Sequence, residues 1–354
     1  MARRDGARPT IYDVARLAGV STATVSRALN GTGQISAATR AAIDAAVERL
    51  GYRPNTIARS LVKRTTQTIA VMVPDIADPF YPALVKAIQA LADEQSYTIL
   101  LCTSEGDPER EENYLDLLRA KQVDGALVDG LVLPRARLAH FVEEGFPMVS
   151  LDRDIDFPSI PLVQVNNRLG AQLATEHLVR LGHTRIAHVT GRTHVRISAE
   201  RQSGYEEELT RLGVPVDPAL VAAGDFTEEG GYRATLELLE RRPSFTALFA
   251  ANDVSALGAL RALSESGKRV PDDVSVVGFD DLWLAAYLTP PLTTIRQPLA
   301  EIGRLATELL IDVLRGKRRS RRVRHILRPE LVVRASTARA PGPATTSRRR
   351  GRRS

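Results

Sequence analysis

The chain has 354 residues, 44% apolar and 25% charged, with a formal net charge of +6 and one cysteine. That length sets an expectation of two or three domains, and no run reaches the roughly 18 apolar residues of a membrane span. A single thiol, Cys102 in the strand-like "YTILLCTSE", excludes an intramolecular disulfide framework and reads as a buried structural group. "MARRDGARPT" is basic with no apolar segment behind it, so it is not read as a secretory signal and a cytoplasmic, nucleoid-associated protein is expected. The charge is unevenly divided. Residues 1–66 hold 11 Lys+Arg against 4 Asp+Glu, residues 67–314 hold 22 against 37, and residues 315–354 hold 15 against 1. A basic head on an acidic body directs only the head toward a polyanion.

From the N-terminus, Thr10 reads as a helix cap with Asp13 three residues on. Ile11, Val14, Ala15 and Ala18 share one helical face before Gly19 stops the helix. Ser21 caps a second helix with Val25, Ala28 and Leu29 inward, halted at Asn30-Gly31. Ser36 caps a third, with Ile43, Val47 and Leu50 inward before Gly51. Two short helices joined by a tight turn and braced by a third form a helix-turn-helix pattern. Thr22, Ala23, Ser26 and Arg27 then point outward. Small residues let a helix approach base edges, and an arginine can grip guanine O6 and N7 together.

"TIYDVARLAGVSTATVSRALNG" closely resembles the N-terminal motif of LacI/GalR-family transcription regulators, and "ISAATRAAIDAAVERLGYRPNTIARSLVKRTTQTIAVMVPDIADPFY" continues the likeness. It runs to about residue 335. The resemblance implies a dimeric, non-enzymatic repressor that binds palindromic double-stranded operator DNA under control of a small-molecule effector, with no metal or other cofactor. It implies DNA contacts from Thr10, Tyr12, Ser21, Thr22, Ala23, Thr24, Ser26, Arg27 and Asn30.

Residues 52–66 read as a hinge helix and linker. The stretch from Asn55 through Leu61 is too short for an isolated stable helix. The resemblance implies that two such segments pair on DNA in the minor groove, with contacts from Asn55, Ala58, Arg59 and Leu61, and Leu61 wedged at the central base step.

From Thr68 onward, strand-like runs such as "TIAVMVPD", "VDGALVDGL", "RIAHVTG", "TALFAAND" and "VSVVGFDD" alternate with helical stretches. Alternation predicts parallel sheets covered on both faces, and the strand number predicts two lobes. The expected architecture is an N-terminal all-α helix-turn-helix domain (1–51) plus an α/β periplasmic-binding-protein-like core (67–340) of two doubly wound lobes. The resemblance implies that lobe one takes 67–164 and 293–323 and lobe two 165–292 and 324–340, and residues 341–354 read as a basic disordered tail. Polar and aromatic residues recur at strand ends, where open α/β sheets bind ligands. The resemblance assigns an effector pocket to Phe80, Asp152, Arg201, Phe226, Asn252, Asp280 and Gln297. Carboxylates, amides and an aromatic face suit a polyhydroxylated ring, and a nucleobase or nucleoside could stack on the same Phe226. The six histidines are scattered, and no phosphate-binding loop or nucleophile elbow is present, so catalysis has no residue set to rest on.

Overall fold

The computed structural model describes residues 9–30, 33–53, 65–120, 122–130, 133–152, 157–193, 195–241, 244–317 and 323–341. The chain divides into two compact units, 1–66 and 67–354.

The head holds α1 (Ile11–Ala18), α2 (Thr22–Asn30) and α3 (Ala37–Leu50). Their starts follow from side-chain capping. Thr10 donates from both N and Oγ1 to the Asp13 carboxylate at 3.0 and 2.8 Å. Ser21 Oγ accepts from Thr24 N, and Ser36 Oγ from Thr39 N, each at 3.1 Å. Each such cap is worth about 1 kcal/mol. Gly19 and Gly51 end α1 and α3 in the left-handed conformation, at φ 66° and 59°. Val14, Val25 and Ile43 are fully buried at the centre, ringed by Ala15, Ala28 and Ala46. Arg40 Nη2 donates to Ala28 O at 3.1 Å, so α3 places a cation on the C-terminal turn of α2. Tyr52 packs on this core and its N–H donates to Val47 O, so the head extends past the expected boundary at 51.

The body contains two six-stranded sheets. Sheet one comprises β1 (Thr68–Val73), β2 (Thr98–Thr103), β3 (Gly125–Asp129), β4 (Met148–Leu151), β5 (Leu162–Val165) and β11 (Arg324–Leu327), in the order β11-β5-β4-β3-β1-β2. Sheet two comprises β6 (Ile186–Val189), β7 (Val221–Ala222), β8 (Ala247–Ala250), β9 (Ser275–Asp280), β10 (Thr293–Arg296) and β12 (Glu330–Val332), in the order β12-β10-β9-β8-β6-β7. All pairs are parallel except β10 with β12. Parallel strands buried on both faces read as unbroken apolar runs, and β3, β8 and β9 are buried throughout. Sheet one is covered by α4 (Phe80–Glu94) and α11 (Leu299–Leu314) on one face, and by α5 (Pro108–Arg119) and α6 (Arg135–Glu143) on the other. In sheet two, α9 (Glu228–Glu240) and α10 (Asp253–Glu265) cover one face, α7 (Asn167–Arg180) and α8 (Arg196–Arg211) the other.

The chain passes between the sheets three times, after β5, after β10 and after β11. The last two crossings differ from the expected boundaries. Thr293–Arg296 pairs with β9 in sheet two, and Arg324–Leu327 pairs with β5 in sheet one. Thr293 and Thr294 have no exposed surface, so each belongs to the sheet that buries it.

Helices α9 and α10 approach closely because glycines face the opposing backbone. A Cβ at Gly231 would lie 2.1 Å from Ser255 O, and one at Gly258 1.9 Å from Glu228 O. Neither carbonyl can retreat without moving its helix. Gly258→Ala is therefore expected to cost about 1–3 kcal/mol, read as a lowered denaturation midpoint.

Candidate functional site

Sequence-predicted site residues fall into two groups, one in each unit. In the head, Ser21, Ala23 and Arg27 are exposed, Thr22, Thr24, Ser26 and Asn30 are half-buried, and Thr10 and Tyr12 are exposed at the start of α1. Ser21 and Thr24 bond each other through their hydroxyls at 2.9 Å, and Asn30 Nδ2 donates to Ser26 Oγ at 3.2 Å. Arg27 folds along its helix, with Nε 3.4 Å from Ala23 O. The outer face of α2 is thus a row of short polar groups with one extendable guanidinium. The hinge residues Asn55, Ala58, Arg59 and Leu61 lie outside the described residues, as does the tail beyond 341.

In the body, a cleft of about 260 Å³ is lined by Phe80, Asp152, Arg201, Phe226, Asn252, Asp280 and Gln297 together. All but Arg201, which lies in the second turn of α8, stand near the carboxyl end of a strand or at the start of a helix, which explains why residues far apart in sequence meet here. The centre is Arg201, 2% exposed. Its Nε donates to Asn167 Oδ1 at 2.9 Å and its Nη1 to Ala251 O at 2.5 Å, while Nη2 lies 3.8 Å from Asp280 Oδ1. The guanidinium also lies over the Phe279 ring, 3.7 Å from its centroid. Asp280 Oδ1 accepts from Gln297 Nε2 at 2.7 Å.

Phe226 forms an aromatic wall. Its φ is 71°, and its ring occupies the space that a Cβ on Gly191 would need, 2.0 Å away. A bulky residue in the left-handed region is an outlier that its surroundings must hold. Asn252 supplies part of that hold: Nδ2 donates to Phe226 O at 2.9 Å, while Oδ1 accepts from Ser255 N at 2.9 Å and caps α10. Asp152 and Asp280 also have positive φ, 48° and 115°. Phe80 opens α4, with its N–H bonded to Asp78 Oδ1 at 3.0 Å.

Sequence reasoning missed Asn167, which orients Arg201, and Gly191, which admits the Phe226 ring. It also missed Glu105, Arg192, Asp225 and Glu228 at the rim. Asn166 caps α7, its Oδ1 accepting from Leu169 N at 3.0 Å. Cys102 is buried, and burial pushes its thiol up to about 11.

Beneath the cleft, Asp253 is fully buried. It accepts from Thr294 Oγ1 at 2.5 Å and from Leu282 N at 2.8 Å. Burial pushes its carboxyl up to about 7, although both hydrogen bonds oppose the shift. Asp280 is also raised well above the ordinary carboxylate range, first by burial and then by Asp253 and Asp78, against the pull of Arg201. His188, stacked between Tyr205 and Phe249 at 5.1 and 4.8 Å, is lowered by burial to about 4. Linkage gives the two effects opposite signs. Between pH 3.8 and about 7 the folded chain keeps a proton on Asp253 that the unfolded chain releases, so stability falls as pH rises through that window. His188 stays neutral when folded, so its contribution is lost as pH falls from 6.5 toward about 4. Asp253→Asn removes only the first effect. The unfolding free energy of wild type minus that of Asp253→Asn is expected to rise as pH is lowered from about 7 to about 4. A pH-independent difference in denaturation experiments would contradict the raised carboxyl.

Residues 10–55 match the sequence profile of bacterial regulatory proteins of the lacI family, and residues 175–337 that of the periplasmic binding protein-like domain. The chain is 39% identical over 328 residues to the ribose operon repressor of Halalkalibacterium halodurans, covering 93% of this chain and 97% of that one. It is 39% identical over 336 residues to the HTH-type transcriptional regulator CelR of Thermobifida fusca, covering 93% and 98%. Among solved structures, the lac repressor dimer bound to operator and the anti-inducer ONPF superposes with a TM-score of 0.85 at 32% identity, covering 94% of this chain and 100% of that one. The CelR–cellobiose complex superposes with a TM-score of 0.72 at 38% identity, covering 93% and 100%. A helix-turn-helix head, a two-sheet body and likeness along nearly the whole length have one reading: the chain belongs to the LacI family of bacterial transcriptional regulators.

Proposed function

We propose that this chain is a cytoplasmic, homodimeric repressor, without catalytic activity, whose affinity for a palindromic operator is set by a small carbohydrate held in the body's cleft. The observation that carries this reading is the convergence of Phe80, Asp152, Arg201, Phe226, Asn252, Asp280 and Gln297 on one cleft. An aromatic face beside carboxylates and amides suits the C–H and hydroxyl faces of a sugar. Relatives solved with cellobiose and with ribose support the choice of class. A relative solved as a dimer on operator supports the oligomeric state and the DNA partner. The body also exposes Trp283 and Tyr287, at 71% and 79%, an aromatic pair that a second copy would cover.

In the proposed mechanism, two heads occupy adjacent major-groove half-sites. Thr22 and Ala23 meet base edges, Arg27 reaches a base or phosphate, and the remaining polar residues of the head position it on the backbone. The connector folds on DNA, with Asn55, Ala58 and Arg59 at the minor groove and Leu61 wedged between base steps. Ligand binding shifts the arrangement of the lobes by its differential affinity for the two states. A coupling of about 1–3 kcal/mol changes operator affinity roughly 5–150-fold.

Two measurements test this. Arg27→Ala is expected to relax preference at one symmetric operator position by roughly tenfold, read from selected oligonucleotide pools; an unchanged site profile would remove Arg27 from base reading. Phe226→Ala is expected to leave operator affinity within about threefold of wild type and to abolish release or recruitment by sugar in gel shifts. A retained response would place the effector elsewhere.

A further inference from the structure

Resting on the reading of the cleft as the effector site, we propose that Arg334, which does not line the cleft, is a positioning residue for it: from the segment after β12 it fixes Asp281, and through Asp281 it aims Asp280 at the ligand. The turn after β9 needs such a hold. Asp280 lines the cleft, and Asp280 and Asp281 both have positive φ, 115° and 55°. Successive non-glycine residues in that region persist only where their surroundings over-determine them. The backbone bonds at this pair are long: Asp281 N donates to Thr294 Oγ1 at 3.4 Å, and Gln297 N to Asp280 O at 3.3 Å. One residue on, Leu282 N is held by Asp253 Oδ2 at 2.8 Å. The other short contacts belong to the Asp281 carboxylate, whose side chain is 7% exposed. Arg334 Nη2 donates to its Oδ1 at 2.5 Å and Arg296 Nε to its Oδ2 at 2.7 Å.

The two guanidiniums are not equivalent. Arg296 is 49% exposed and also lies 3.8 Å from Glu330 Oε2. Arg334 is 20% exposed and anchored on its other side: Nη1 donates to Leu292 O at 2.7 Å and its N–H to Thr293 Oγ1 at 2.9 Å. The segment that carries it is fastened further on. Ser336, fully buried, donates through Oγ to Val276 O at 2.6 Å and accepts from Thr293 N at 2.8 Å, and Ala338 N donates to Ser275 Oγ at 3.0 Å. A planar fork bonded to a carbonyl on one side and a carboxylate on the other has a fixed place. Lysine would keep the charge but, as a point donor, cannot reproduce the fork. The path to the cleft is then short. Arg334 holds the Asp281 side chain, Asp280 is the preceding residue, and Asp280 Oδ1 accepts from Gln297 Nε2 at 2.7 Å.

Gln297 reports this geometry without a ligand. Its side chain is buried, so its carboxamide protons exchange slowly while Nε2 bonds Asp280. Full-length protein with isotope-labelled glutamine would be followed by NMR, the Gln297 signal being assigned by its absence in Gln297→Met. Arg334→Lys and Asp281→Asn are each expected to speed that exchange at least about tenfold. The double variant is expected to exchange no faster than either alone. Ser275→Ala loosens the same segment at Ala338. It is expected to lower the denaturation midpoint while Gln297 keeps the parent rate.

Three results overturn the proposal: a parent exchange rate in Arg334→Lys, single-variant effects that multiply in the double variant, or equal acceleration by Ser275→Ala. If Arg334→Lys does not fold, Asp281→Asn tests the same link from the acceptor side, and a parent rate there overturns it. Calorimetry with ribose and cellobiose adds a binding measurement. Either sugar that binds the parent is expected to bind Arg334→Lys about tenfold more weakly, and equal affinity overturns the proposal. Failure of the effector reading is separable: Gln297 exchange would respond as stated while operator affinity stayed indifferent to a bound sugar.

Discussion

Among the described residues, one buried guanidinium organises the cleft, that of Arg201. An arginine taken out of water costs several kcal/mol unless its donors and charge are satisfied. Arg201 meets that demand by drawing together four segments of the second lobe: Asn167 at the start of α7, its own helix α8, Ala251 after β8 and Asp280 at the end of β9. These segments are otherwise only strand ends and helix starts. The same guanidinium lies over Phe279, whose ring also abuts Gly170, where a Cβ would be 2.5 Å away. The position of α7 on sheet two and the position of the cation are therefore one packing problem. Asp280, held by Arg201 and Gln297, extends this arrangement to the first residues beyond β10, close to a lobe crossing.

Strain is concentrated where this network opens onto the cleft. Asp152, Phe226, Asp280 and the neighbouring Asp281 all have positive φ. Such conformations cost about 1–3 kcal/mol each and persist only where the surroundings over-determine them. Gly191 and Asn252 fix Phe226 from ring and carbonyl, and Arg296 and Arg334 fix Asp281 at 2.7 and 2.5 Å. Within each lobe these contacts hold the residues that line the cleft in place.

Much of this was legible in the sequence, to an extent set by how local each cause is. The head could be read almost residue by residue, because caps at Thr10, Ser21 and Ser36, stops at Gly19 and Gly51, and inward Val25 and Ile43 act within one or two helical turns. Tyr52, past the Gly51 stop, is held both by its N–H on Val47 O and by packing on the head core, and only the packing is invisible to local sequence. Strands were visible as apolar runs, but sheet membership was not. Thr293–Arg296 and Arg324–Leu327 are four-residue strands beside crossings, and nothing in four residues states which lobe will pair with them. In the cleft, family motifs located the residues that line it. Asn167 was hidden because it acts through Arg201, 34 positions away, and Gly191 because its role is to lack a side chain where Phe226 lies. Asn252 lines the cleft, and its polar atoms also hold Phe226 and cap α10.

One strand relates the cleft to the connector within the body. The C-terminal end of β1 delivers Pro74 through Tyr81 to the cleft, and its N-terminal end is the first element after the connector. That end is pinned: Gln67 N donates to Asp124 Oδ2 at 2.9 Å, Thr98 N to Gln67 O at 2.8 Å and Asp124 N to Thr68 O at 2.8 Å. Six residues of strand span about 20 Å, and Ile69 through Val73 are buried between helices on both sides. A strand so enclosed does not stretch or bend appreciably, because packed interiors have low compressibility. It moves with its lobe. In the proposed mechanism, a ligand that reorients the lobes need not send a signal along a chain of side chains. Moving lobe one moves the point at which the chain enters β1.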